Sequence, residues 1–274
     1  PTSEISAVNL RAALGPVRVE PTVFRLLQQA QRLHRESVGA FDITIAPLVR
    51  CWGFMGGQGR MPDDSEVAEA RAKVGMDLVT LQEEDFTVRF ARSGMMLDLG
   101  AIGKGYAVER AANLLREAGV TVALLHGGTS TVYAIGAPPD SDSWKVAIDY
   151  PQSERDEAGL RSAVPENVDS PPASVMSLVS LRAEAMSVSA PHGRAFTVDG
   201  RRFGHVLDPR TGWPVQGSLL AAVVLPSATE TDPLSTALLT LGSAGHDRIA
   251  ALRPQMRTLL LTRDAQSGQR RLES

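Results

Sequence analysis

Apolar positions recur at helical spacing in two stretches of the chain and at strand spacing in several others. After Pro21-Thr22, residues Val23, Leu26, Leu27, Ala30 and Leu33 share one helical face, and Gly39-Ala40-Phe41-Asp42 breaks that helix. From Leu97 to Gly128 the pattern changes twice. Leu97-Asp98-Leu99-Gly100 ends an apolar strand in a glycine turn. Residues 104–118 then read as a helix with apolar Tyr106, Ala107, Ala111, Leu114 and Leu115, and Gly119 stops it. Residues 120–125 predict a buried strand closed by Gly127-Gly128.

Around this centre the pattern predicts strands at 78–81, 86–90, 95–97, 131–135, 144–148 and 175–182, and another around Phe196. Asp63 or Asp64 caps a short polar helix through residue 73. Residues 41–62 are apolar but irregular, with prolines and several glycines, and read as a loop lining a site. Residues 151–172, rich in Pro, Glu, Asp and Ser, predict a surface loop or insertion away from the chemistry. No internal repeat is evident. Strands and helices do not alternate strictly, so the fold class is α+β, as one domain spanning 1–274, with helix 104–118 packed on a mixed sheet.

Composition narrows the function little. A chain of 274 residues that is 43% hydrophobic and 22% charged has ample core for a globular protein. No apolar run approaches the ~18 residues of a membrane helix. The net charge of −3, with both signs scattered, predicts no nucleic-acid partner. Cys51 is the only cysteine, which excludes an internal disulfide and a multi-cysteine metal site.

Three runs could carry chemistry. Backbone amides at the turn from Gly100 to Lys104 could face an anion at the helix start, or the glycines could serve turn geometry alone. In Gly204-His205-Val206-Leu207-Asp208-Pro209-Arg210-Thr211-Gly212, Asp208 holds a tight turn. His205 stands at its strand edge, either as a general base or as a structural histidine. In the third run, Ser227 with Glu230 forms a capping-box pattern, while Asp232 with Pro233 forms a competing helix start. Asp232 and Thr236 stand four apart. On one helix they share a face and offer half of an oxygen site for a hard cation; Asp232 could equally be a cap.

Taken together, these runs resemble the ApbE family of FAD:protein FMN transferases. The resemblance rests on Ser3-Glu4-Ile5-Ser6 through Asn9, Gly39 to Thr44, Pro47-Leu48-Val49, Trp52-Gly53-Phe54, Asp98 to Tyr106, Gly127-Gly128, His205 to Gly212 and Asp232 to Thr236, in that order. It implies a two-lobed, mixed-sheet, T-fold-like α+β architecture with a flavin cleft between the lobes. The implied reaction moves FMN from FAD to a threonine hydroxyl of a partner flavoprotein and releases AMP, with Mg²⁺. FAD binding without transfer, and FAD hydrolysis to FMN and AMP, are the alternatives. The resemblance implies FAD contacts at Ala40, Phe41, Asp42, Asp98, Lys104 and Leu207. It implies Mg²⁺ ligands at the Ala101 carbonyl, Asp232 and Thr236, and a catalytic role for His205. It also implies flavin contacts ahead of Pro1, an extracytoplasmic location, and membrane association through a lipid anchor. The chain departs from the family pattern at Thr129, where an acidic residue is usual, and at Val188-Ser189-Ala190-Pro191-His192-Gly193.

Overall fold

The computed structural model describes residues 3–57, 59–151, 174–191, 193–264 and 266–274. The expected surface loop at 151–172 lies, apart from Pro151, outside them. Among the described residues the helices are α1 (Glu4–Arg11), α2 (Pro21–Glu36), α3 (Ala46–Cys51), α4 (Asp64–Arg71), α5 (Gly103–Glu117), α6 (Ala228–Leu241) and α7 (His246–Ala250). The strands are β1 (Val17–Arg18), β2 (Val79–Gln82), β3 (Thr87–Phe90), β4 (Ala123–Gly127), β5 (Thr131–Ile135), β6 (Trp144–Asp149) and β7 (Val175–Leu181). They continue with β8 (Ala185–Ser189), β9 (Ala195–Val198), β10 (Arg201–Gly204), β11 (Ser218–Leu225), β12 (Arg257–Arg263) and β13 (Arg270–Glu273). None of these helices is long and apolar enough to cross a membrane.

The α+β class stands. The main sheet has six strands in the order β13-β12-β11-β8-β5-β4. Every pairing in it is antiparallel, in place of the mixed sheet expected. Neighbours such as β4 and β5, or β12 and β13, are joined by short turns, which antiparallel pairs allow and parallel pairs do not. The parallel contact seen is a single bridge, Ile45 to Met96, where the sequence predicted a strand at 95–97.

All eight residues of β11 are buried, because both faces of the sheet are covered. Ala221, Val223 and Leu225 join Leu234, Ala237 and Leu238 of α6 and Phe24, Leu27 and Leu33 of α2 in the largest core. The alternate residues Leu220, Ala222 and Val224 face Ile148 and Leu181 of the β6–β7 hairpin. A third core gathers Trp52, Phe54 and Phe203 with Phe196 and Trp213. Trp52 meets Trp213 edge-on at 5.1 Å and donates its Nε1–H to the Gly212 carbonyl at 2.8 Å. This core clamps the β9–β10 hairpin, and the residues that follow it, against α3.

Helix α5 presents Gly105, Val108 and Ala112 inward, while Leu114 is 56% exposed. The packing stripe is therefore set by contact with α6 and not by the largest apolar side chains. The irregular stretch 41–62 does line a site, but it contains α3.

Candidate active site

The turn after α2, the start of α5, the end of β8, the residues after β10 and the inner face of α6 surround one cavity of about 740 Å³. That volume falls within the roughly 300–1,000 Å³ of small-molecule sites. Ala40, Phe41, Asp42, Asp98, Ala101, Lys104, His205, Leu207, Asp232 and Thr236 all line it.

Ser227 wins the competition for the α6 cap, since its side chain accepts from the Glu230 amide. Asp232 therefore lies one turn inside the helix, with Thr236 a turn further along the same face. The Asp232 side chain is 5% exposed. Its Oδ2 accepts from the Gly105 amide at 3.1 Å, and its Oδ1 lies 3.5 Å from Lys104 Nζ. Burial pushes the Asp232 carboxyl above the usual range, and the Lys104 charge and the Gly105 amide oppose that shift.

Of the two readings of the glycine turn, this arrangement favours turn geometry. The Gly105 amide is taken by the chain's own carboxylate, the Gly103 amide donates to the Leu99 carbonyl at 2.7 Å, and the Gly100 amide donates to Asp98 Oδ1 at 2.7 Å. The charged residues that the turn brings to the cavity are Lys104 and Asp98. The capping is reciprocal. Glu109 of α5 accepts from the Thr229 amide at 2.7 Å and the Ser227 hydroxyl at 2.8 Å, so each helix start is capped by a carboxylate from the other.

The Asp42 carboxylate is turned away from the cavity. Its side chain is 1% exposed. Oδ1 accepts from the Thr44 amide at 2.7 Å and hydroxyl at 2.6 Å, while Oδ2 accepts from the Met76 amide at 3.1 Å. His34 Nδ1 lies 3.1 Å from Oδ2 and 3.1 Å from the Phe41 carbonyl. Asp42 thus fixes the shape of the wall, and its backbone rather than its carboxylate faces the cavity.

His205 directly follows β10. Its Nδ1 lies 3.3 Å from both the amide nitrogen and the carbonyl oxygen of Arg194. Burial lowers the His205 pKa; backbone hydrogen bonds at Arg194 and Pro191 oppose this, and the charges of Arg194 and Lys104 add to it. The ring is accordingly neutral at neutral pH and able to take a proton. A Cβ on Gly204 would fall 2.3 Å from the Pro191 carbonyl oxygen, so the Pro191 backbone lies flat against the strand that carries His205. His192 lies outside the described residues.

Oxygens on the cavity wall suit a hard cation. Asp232 supplies a carboxylate and Thr236 a hydroxyl, and Gly100 and Ala101 line the same cavity. The Lys104 ammonium already stands there as a cation, donating to the Gly100 carbonyl at 2.8 Å while facing Asp232. Among the described residues no group of three or more His, Cys, Asp or Glu side chains could hold a metal. A site with one carboxylate fits an ion that keeps waters and takes further oxygens from a phosphorylated ligand, as Mg²⁺ does.

The profile of the ApbE family matches residues 1–260. The chain belongs to the ApbE family. It is 30% identical over 247 residues to the FAD:protein FMN transferase of Haemophilus influenzae, covering 88% of this chain and 66% of that protein. It is 27% identical over 245 residues to that of Escherichia coli K12, covering 88% and 65%. The chain thus spans just under two thirds of the length of these curated relatives. The apo crystal structure of the Pseudomonas stutzeri flavinyl transferase ApbE superposes with a TM-score of 0.78 at 28% identity, covering 96% of this chain and 76% of that one. The ApbE protein of Thermotoga maritima gives a TM-score of 0.80 at 25% identity, covering 98% and 81%.

In this ApbE-family chain the cavity also takes in Ser130 and Arg194, which no sequence motif marks, and Thr129 and Ser189, which stand where the chain departs from the family pattern. Thr129, Ser130 and Ser189 bring hydroxyls to its wall, and Arg194 brings a second cation. Glu109 and His34 act from behind it. The alternation of Ser187 and Ser189 along β8 was the available signal, since it puts both hydroxyls on the face that meets α6.

Proposed function

We propose that this chain transfers the FMN part of FAD to a threonine hydroxyl of an acceptor flavoprotein and releases AMP, with Mg²⁺ held by Asp232, Thr236 and the Ala101 carbonyl. The observation that carries this reading is the convergence of Lys104, His205, Asp232 and Thr236 on one cavity. The names of the relatives support it. An extracytoplasmic location with a lipid anchor belongs to the same proposal and rests on the family resemblance.

Each group has a task in that reaction. Phe41, Ile43, Val49 and Leu207 supply an apolar wall against which a flavin ring can lie and from which it excludes water. Lys104 meets the negative charge of the pyrophosphate. The bound cation would draw charge from the pyrophosphate oxygens as the bond to AMP breaks. The acceptor oxygen bonds to the phosphorus of the FMN phosphate, AMP departs with the bridging oxygen, and the hydroxyl proton passes to the neutral ring of His205.

The test is mass spectrometry of a candidate acceptor flavoprotein after incubation with FAD, Mg²⁺ and this protein. A gain of one FMN is the expected result. Free FMN with AMP would replace transfer by hydrolysis, and unchanged FAD would leave only binding.

A further inference from the structure

We infer that Ser189 is a positioning residue that orients the Thr236 hydroxyl toward the cavity; this rests on the reading of Asp232 and Thr236 as cation ligands. A hydroxyl that binds a cation must point an oxygen lone pair at it, and its proton must go elsewhere. The direction of that proton follows from counting donors. The Ser235 hydroxyl donates to the Asp232 carbonyl at 2.9 Å. Its proton is thereby used, so in the 2.8 Å contact between Ser189 Oγ and Ser235 Oγ it is Ser189 that donates. Ser189 Oγ then has only lone pairs left for Thr236 Oγ1, 3.2 Å away, and Thr236 donates to it. The alternative acceptor for the Thr236 proton, the Asp232 carbonyl, is 3.3 Å away and already holds Ser235.

The chain of protons therefore runs from Thr236 through Ser189 and Ser235 to the helix carbonyl. It turns the Thr236 lone pairs away from β8 and into the cavity. A second hydroxyl contact between the same elements, Ser187 to Thr231 at 2.8 Å, is fully buried and does not touch Thr236. It holds α6 on the sheet without orienting a ligand, which makes it the internal control.

The experiment measures Mn²⁺ affinity by electron paramagnetic resonance in the presence of FAD, with FAD binding followed separately by flavin fluorescence. Ser189→Ala is expected to weaken Mn²⁺ binding about 10-fold or more, the usual cost of losing a group that orients a metal ligand. Ser189→Thr should restore it, Ser187→Ala should leave it near the parent value, and metal-free FAD binding should not change in any of them. The inference is overturned if Ser189→Ala binds Mn²⁺ like the parent while Thr236→Val does not, a result that leaves the cation site standing. Equal weakening by Ser187→Ala and Ser189→Ala would also overturn it, since helix docking would then be the cause. A parent that binds no Mn²⁺ would remove the cation site itself and the inference with it.

Discussion

Gly105 and Asp232, 127 residues apart in the chain, lock helices α5 and α6 together at the cavity. The Gly105 amide donates to Asp232 Oδ2, and a Cβ on Gly105 would fall 2.9 Å from Asp232 Cβ and 2.1 Å from the Ala228 carbonyl oxygen. Only glycine permits that approach. The carboxylate is held at the cavity because the two backbones nearly touch.

Gly105→Ala sets two effects against each other. Helix propensity alone favours alanine by about 1 kcal/mol. Overpacking a tight contact costs about 1–3 kcal/mol, and here the obstacle is backbone, which cannot rotate away. The expected outcome in urea denaturation is a net loss of stability, with weaker metal binding as Asp232 shifts. A more stable variant would show that the two helices separate without cost.

His34 gives the fold a pH dependence. Burial opposes its charge, but the hydrogen bond and charge of Asp42, with smaller contributions from the Phe41 carbonyl and Asp77, raise its pKa above 6.5. The folded state then binds more protons than the unfolded state above that value. The contribution is fully present below pH 6.5 and fades as pH rises through the folded pKa. Thermal unfolding from pH 6 to 8 should show the parent losing more stability than His34→Gln. Parallel curves would remove His34 from the account.

Val38 carries strain at the entrance to the Gly39–Asp42 turn. It is a β-branched residue with φ of 53°, in the left-handed region, and half exposed. Val38→Asn should raise stability by about 1 kcal/mol, because asparagine tolerates this conformation and Val38 belongs to none of the buried cores. An unchanged or lower denaturation midpoint would contradict it.

These features mark where the sequence stops being readable. The helix at 104–118 was legible because glycines punctuate both ends. The shared face of Asp232 and Thr236 was legible because the spacing of four is local. The choice of Ser227 over Asp232 as cap was not, since it depends on Glu109 reaching across from α5 to the Ser227 hydroxyl. The inward turn of the Asp42 carboxylate depends on donors from Thr44, His34 and Met76, the last 34 residues away. The orientation of Thr236 depends on a serine 47 residues earlier in β8. The pairings of β5 with β8, β8 with β11 and β11 with β12 likewise join strands far apart in the chain, which a periodicity of two does not encode.

In the proposed reaction His205 takes the acceptor proton while Asp232 and Thr236, on the same cavity, hold the cation. The most direct measurement is the rate of FMN transfer to an acceptor flavoprotein by His205→Ala and the parent, with FAD affinity determined in parallel. Transfer should slow by about 10²–10⁴-fold, the range for losing a general base, with FAD affinity kept. Equal rates, or loss of FAD binding in the variant, would contradict the account.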